Sequence, residues 1–569
     1  MTREQRARLW AIWAQDALWL GLLLGLGWHF FAPLPHVHDL KLWDESAYLL
    51  RGLRLAPFRL LSGYGPLYSL AYWFLHAWVP DPIDLYYRMY QWTGVLLPLS
   101  LYWAWRRAGV LPFWAGPYAT VVLVMRGNAV VWPRVSHAML ITLLGLWGWI
   151  WGRAWPRASV QYGAYALSFW LAAYIRPEML AAALGFAVLA GIGAWREYHA
   201  AQHSTSAAPW RAWVLLAAVG LAPWLAWGPP IQPSRSWDAF SQHFAVRRQL
   251  LGDEVQDPWR GAPEVIRRYF GPDVRSIPQA LRANPYAVLE HVQANLREVV
   301  GRIRRRLIPR ALPMRVAGLP MRVILWGGLW GLGIGVWIGR WRQRRVRACA
   351  RRLLLVEGPA PITALAMQLG NAGIIFPHDH YLWPALVLVW LLMGLVFAPR
   401  SHDLPSGLRW RASWVGLVLS GVLAWGLYRG IIDRDIHAWL HEPEAGFRVR
   451  EVAQWMRTLP WPEDRPIRLL LTAGAWEVYF GPNFQAVPDR LPPGTDLLTY
   501  IQEQGVDAIL FAAPPDGDFF CRGQEDICRA LLAHPTTYGF QRVEAPSHLG
   551  VILLVRPEVW SIDSTPPAP

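Results

Sequence analysis

The sequence predicts a polytopic α-helical membrane protein, with about eleven transmembrane helices, outer-leaflet juxtamembrane helices and a small C-terminal α/β domain. Three observations predict it. Of 569 residues, 54% are hydrophobic and only 17% charged, against about 25% charged in soluble globular chains. The apolar residues gather in runs of roughly 17–22, the length that crosses a hydrocarbon core about 30 Å thick. The runs lack the polar stripe of a helix that faces water. The 38 Trp and 20 Tyr are residue types that collect at membrane–water interfaces.

The spans are read at 14–31, 86–105, 111–125, 137–151, 161–175, 179–195, 212–227, 323–338, 353–376, 381–397 and 413–428. The first run follows a basic segment and has no small-residue cleavage site after it, so it reads as a retained helix, not a signal peptide. A further apolar stretch, 63–79, is broken by Gly65, Pro66, Ser69 and His76. Read as lying in the outer leaflet, it leaves the short Arg-rich loops at 106–107, 153–157, 195–211, 340–352 and 400–411 in the cytoplasm with the N-terminus, as the positive-inside rule requires. One feature runs against that topology: the long outer loop ends in Arg302, Arg304, Arg305, Arg306 and Arg310. The expected localisation is a multi-pass inner (plasma) membrane protein. A transmembrane domain would occupy 1–430, with outer loops at 32–85 and 228–321, and an extracytoplasmic domain would occupy 431–569.

That last domain reads as a small α/β unit. Helical spacing is expected at 448–459, 497–504 and 521–532, and short apolar runs bounded by turn residues mark strands at 467–472, 506–511, 542–544 and 551–555. No Gly-rich phosphate loop follows a central strand, so no nucleotide site is expected there. Of the three cysteines, Cys349 falls in a cytoplasmic loop, whereas Cys521 and Cys528 fall outside, where a disulfide is permitted.

The net charge is +16 and Lys41 is the sole lysine. An excess of Arg suits anionic lipid headgroups or phosphates. Nucleic acid is not an expected partner, because the Arg residues flank apolar spans and do not form one soluble basic face.

Several groups could carry chemistry. Asp44 and Glu45, in KLWDESAYLL, sit where the chain leaves the bilayer. Neighbouring carboxylates there can take a proton from an acceptor hydroxyl, orient an amine, or hold a divalent cation against a phosphate. The plainer reading makes Asp44 a helix cap and Glu45 a first-turn acid favoured by the dipole. His378, Asp379, His380 and Tyr381 open a late span. Helix residues two apart do not share a face, so the two histidines need an irregular turn to act together; otherwise the cluster is an interfacial anchor. Arg176 and Glu178 flank Pro177 at an outer helix end, where an Arg–Glu pair needs a partner or an aqueous cavity; simple helix punctuation is the alternative. In the long outer loop, Asp238 with Gln242 and His243 with Arg247 have helical spacing, as do His291 and Asn295. Arg247, Arg248 and the 304–306 cluster suit phosphate through their planar forks, or are solvated charge beside anionic lipid. Arg88 opens the second span with Asp81 and Asp84 nearby. Arg134 and His137 lie in another short outer loop.

The pattern resembles the GT-C superfamily of membrane glycosyltransferases, in particular the bacterial branch of protein O-mannosyltransferases and lipid A aminoarabinose transferases. Four matches carry the resemblance: Asp44–Glu45 followed by Tyr48 and the GPLY segment at 65–68; Arg88 at the start of the next span; HYL and then Pro384 near a late span; and a compact α/β domain at the end. Where the family commonly has a double proline, Gly65 precedes Pro66 here. The resemblance implies transfer of a sugar from a polyprenyl-phosphate donor to a lipid, glycan or protein acceptor on the outer face. It implies Asp44 as general base, Glu45 orienting acceptor or base, and Arg side chains on the departing phosphate. Some members need a divalent cation, Mg or Mn, and others none, which leaves that cofactor open. A transporter or flippase of lipid-linked sugar would call for inverted repeats and mid-bilayer ionisable groups, neither of which is evident. A non-catalytic assembly protein is the third alternative.

Overall fold

The computed structural model describes residues 3–55, 65–130, 132–155, 157–201, 210–230, 233–255, 257–259, 261–302, 315–316, 319–320, 352–398, 400, 406–432, 448–472, 474–489, 491–492, 494–512, 518–521 and 523–560. The chain forms two compact units. One is Met1–Leu34, Ala56–Tyr68 and Tyr90–Leu440; the other is Pro35–Leu55, Ser69–Met89 and His441–Pro569. A boundary expected from sequence at 430 therefore acquires two further pieces, since segments of the first outer loop fold with the C-terminal domain.

The first unit is helical. Among the described residues three stretches are long and apolar enough to cross a membrane: Arg3–Val37, Pro177–His199 and Asp379–Phe397. Pro112–Val124, Val135–Trp151 and Leu216–Trp227 are shorter apolar helices. Helix Arg3–Phe31 packs against helices Pro112–Val124 and Ser406–Ile432. Gln15 donates to the Ser413 carbonyl at 2.7 Å and Trp19 to Ser420 Oγ at 3.0 Å. Gly116 lets the Trp19 ring lie on the backbone: a Cβ there would sit 2.0 Å from the indole. Away from these seams the helices expose large apolar side chains, including Trp13 at 74%, Val188 at 61% and Val418 at 66%.

One expectation about spans changes. The run 353–376 is not one helix. A π-helical turn at Leu353–Glu357 precedes helix Pro359–Ile374, because Pro359 has no N–H to continue the ladder. Glu357 at the break is fully buried and ion-paired to Arg352 at 2.7 Å and Arg400 at 2.6 Å. The stretch 63–79 holds an 11-residue helix, Pro66–His76. At 1.5 Å per residue that is only about half of a 30 Å core. The expected span at 323–338 and the 304–306 Arg cluster lie outside the described residues.

The segment 233–302 is a small helical layer of its own. Helices Pro233–Leu250, Ala262–Phe270, Ile277–Ala283 and Pro285–Arg302 enclose a core of Phe240, Phe244, Val265, Ile266, Phe270 and Ala280.

In the second unit, five strands form one sheet: β1 Ile467–Leu471, β2 Phe484–Val487, β3 Ala508–Ala512, β4 Gln541–Val543 and β5 Val551–Val555. The spatial order is β2-β1-β3-β5-β4. β1 is parallel to β2 and β3, while β5 runs antiparallel to β3 and β4. Helices Arg448–Thr458, Leu497–Glu503 and Glu525–Ala533 accompany it, and Leu470, Ile501, Ile509, Phe511 and Leu554 fill the core. Cys521 and Cys528 form a disulfide. β2 was absent from the sequence reading: its four residues bury only Phe484 and Val487, too short a pattern to show period two.

Candidate functional site

The candidate residues fall into two groups, one in each unit. In the second unit, Asp44 and Glu45 open helix Asp44–Leu53. The cap is Trp43, not Asp44 as the sequence suggested, and its φ of 69° lies where a Cβ is unfavourable, at a cost of about 1–3 kcal/mol. Helical geometry separates the two acids. Glu45, Leu49 and Gly52 face inward, and Gly52 has no room for a side chain, since a Cβ would come within 2.7 Å of the Ser69 carbonyl and Tyr72 Cβ. Glu45 is fully buried, and Tyr72 donates its hydroxyl to Glu45 Oε1 at 2.5 Å. Asp44 stays half-buried, so it is the carboxylate of the pair open to an acceptor. Tyr48 and Arg51 follow it at one and two turns on the same face. Burial lowers the Arg51 pKa, opposed by the nearby Tyr48 and Asp44.

The C-terminal domain lines this helix. Trp43 N–H and Ser46 Oγ both donate to the Gly474 carbonyl, at 3.1 and 2.5 Å. Arg54 donates to the Phe484 carbonyl at 3.1 Å. Asp39 caps helix Arg448–Thr458, accepting from the Val449 and Arg450 amides at 2.8 and 3.0 Å; burial nonetheless raises its pKa. Tyr479 is buried beside Tyr86, and its hydroxyl is held protonated by burial and by the charge of Glu45. Asp81, one of the acids read beside Arg88, instead pairs with Arg457 at 2.5 Å. Arg88 is half-buried on helix Pro82–Arg107.

In the first unit the structure gathers His243, Arg247, His378, His380, Tyr381 and Arg176. The irregular turn that the two late histidines require is present: His378 has extended backbone and caps helix Asp379–Phe397. Its ring then lies parallel to His380 at 5.8 Å, 5.4 Å from His243 and 6.1 Å from Trp259. His380 packs on Tyr381 at 4.0 Å. Arg176 lies over the Tyr381 ring at 5.0 Å and pairs with Glu178 at 2.7 Å. Arg302 pairs with Glu298 and Asp379. Burial drives the His243 pKa down to about 3 and that of His378 to about 4, so both rings are neutral near pH 7.

Arg247 differs from the other two arginines. Its Nε donates to Asn295 Oδ1 at 2.9 Å, and Asn295 is braced by the Gly373 carbonyl at 3.0 Å and by His291. Its Nη2 is buried with no hydrogen-bond partner. Among the described residues no carboxylate pairs with it. Burial lowers its pKa. A preoriented, desolvated guanidinium with an unpartnered Nη2 has the chemistry an anion requires. Trp259 and Asn295 complete this cluster. Trp259 carries no signal in the sequence, being one of many tryptophans. Arg134 and His137 are buried too, but Arg134 spends its donors on Thr93 Oγ1 and the Asn128 carbonyl.

No three His, Cys, Asp or Glu side chains are gathered to ligate one metal ion among the described residues. No protein-family model matches the chain, and no curated protein matches it.

Proposed function

We propose that this protein is a polytopic membrane glycosyltransferase of GT-C type, moving a sugar from a polyprenyl-phosphate carrier to an acceptor on the outer face. The membrane part of the reading is supported by the contiguous Trp, Leu and Val surfaces of helices Arg3–Phe31, Leu180–Ala201 and Ser406–Ile432, far larger than a soluble monomer leaves in water. The observation that carries the chemical part is Arg247: a buried guanidinium with an open N–H, beside neutral His243 and His378, at a place where a phosphate would supply the missing anion.

In this reading Asp44 takes the proton of an acceptor hydroxyl as its oxygen bonds to the anomeric carbon. The bond from that carbon to the phosphate oxygen breaks, and the carrier leaves as polyprenyl phosphate. The growing charge on the departing phosphate calls for guanidinium donors, and in the first unit Arg247 is the candidate phosphate-binding group. Glu45, locked by Tyr72, fixes the start of the helix that carries Asp44. A bilayer-confined carrier reaches such a site without a three-dimensional search.

The test is turnover of a panel of synthetic polyprenyl-phosphate sugars (mannose, glucose, galactose and N-acetylglucosamine) by vesicles carrying wild type or Asp44→Asn. The reading expects transfer from at least one donor and a loss of at least 100-fold in kcat with Asp44→Asn. Equal turnover by the variant removes Asp44 as the base.

A further inference from the structure

The geometry points to the C-terminal domain as the positioning element of Asp44: its turn at Gly474–Ala475 clamps Trp43 in a conformation that sets the helix start, so the sheet domain tunes transfer at a distance from the reacting atoms. This inference rests on the reading of Asp44 as the base.

Among the described residues two non-glycine residues have positive φ, Trp43 at 69° and Ala475 at 61°. Nothing in the sequence links them, yet they meet. Trp43 gives its N–H to the Gly474 carbonyl, and Ser46 gives its hydroxyl to the same oxygen. One acceptor thus ties down the cap and the first turn of helix Asp44–Leu53. Gly474 allows the approach, since a Cβ on it would lie 2.8 Å from Trp43 Cε3 and 3.1 Å from Trp43 Cα. Strained backbone persists only where its surroundings over-determine it, and here the surroundings of Trp43 come from the sheet domain. Immediately beyond Ala475, the turn Trp476–Tyr479 packs on helix Asp44–Leu53, and the buried Tyr479 hydroxyl feels the charge of Glu45, so the same few residues of the domain support the helix that carries the acid pair. A loosened turn would release Trp43 to ordinary φ and swing Asp44, its next neighbour, without removing any group that touches substrate. Trp43 and Gly474 are positioning residues in this account, and their effect belongs in kcat, not in donor affinity.

The test uses the full chain in vesicles, with two readouts: hydrogen exchange of the amides at 44–48, and kcat and KM on the donor panel above. Gly474→Ala is expected to speed exchange of those amides at least tenfold. It should also lower kcat at least tenfold with KM within twofold of wild type. Adding Trp43→Gly removes the clashing ring and makes the positive φ cost nothing, so the double variant is expected to recover both readouts to within threefold. Unchanged exchange or unchanged kcat in Gly474→Ala, or no recovery in the double variant, overturns the inference while the glycosyltransferase reading stands on Asp44→Asn. If Gly474→Ala unfolds the sheet domain, Ser46→Ala, which removes one of the two bonds to the Gly474 carbonyl, decides by the same criteria. Absence of wild-type turnover on every donor sinks the glycosyltransferase reading, and the exchange arm alone then decides whether the turn clamps the helix.

Discussion

Replacing Arg247 by Ala separates a binding role from a structural one, because the two predict opposite effects on stability. The side chain is buried, among the described residues no carboxylate forms an ion pair with it although the charge of Glu298 acts on it, and its Nη2 has no hydrogen-bond partner there. Its hydrogen bond to Asn295 has a charged donor and is worth about 1.5–3 kcal/mol. Against that stands the cost of holding an unpaired guanidinium out of water, several kcal/mol before relaxation. The sum favours the variant, so the unfolding midpoint in detergent should stay level or rise. Phosphate binding should move the other way. A charge-assisted bond contributes about 1.5–3 kcal/mol, and each 1.4 kcal/mol is tenfold in Kd. Arg247→Ala should therefore weaken binding of a radiolabelled polyprenyl phosphate by about 10- to 150-fold. Arg247→Lys keeps charge but loses the fork held by Asn295, and should fall between. A variant that melts several degrees lower and binds the lipid as well as wild type would show Arg247 to be structural, and would refute the anion-site argument.

Further predictions follow from the same geometry. Tyr72→Phe deprives a buried carboxylate of a donor and should cost about 1.5–3 kcal/mol of stability, read as a lower denaturation midpoint with the helical signal retained. His243, held at about 3 in the folded chain, binds a proton in the unfolded chain below about 6.5. Its stabilising contribution is present above that pH and is lost as pH falls towards the folded value, by about 2 kcal/mol at pH 5. Midpoints at pH 7 and pH 5 should differ by at least that much, since His378 and His291 are lowered too, and His243→Phe should shrink the difference by about 2 kcal/mol; an acid-insensitive wild type would contradict the burial. A periplasmic reporter fused after Tyr428 should be active outside the cytoplasm, and a cytoplasmic signal would invert the topology.

Much of the helical order was legible because apolar length is a strong local signal. Helices such as Val135–Trp151 and Asp379–Phe397 and strands such as Val551–Val555 fall within a few residues of where pattern placed them. The spacing of His243 and Arg247, and of His291 and Asn295, gave the correct shared faces. What pattern could not give was long-range. Tyr72 looked like one more aromatic in an apolar stretch, and only the crossing at Gly52 turns it onto Glu45. Trp43 carries no mark of positive φ, because that conformation is imposed by Gly474, more than 400 residues away. Arg247 was one of many arginines. What sets it apart is that, among the described residues, no carboxylate forms an ion pair with it, and a sequence does not record that. The break at Gly358–Pro359 was in plain view as a proline but was outweighed by the apolar run around it.

The central claim is that Arg247 and the histidine cluster of its unit bind the phosphate of a polyprenyl-linked donor. A polyprenyl phosphate carrying a diazirine on the isoprene unit next to its phosphate tests this directly. After photolysis in vesicles, the account predicts label in the segments around His243–Arg247 and His378–Tyr381, competed by unlabelled polyprenyl phosphate and reduced in Arg247→Ala. Label confined to the lipid-facing residues of the apolar helices, insensitive to competitor and to Arg247, would contradict it.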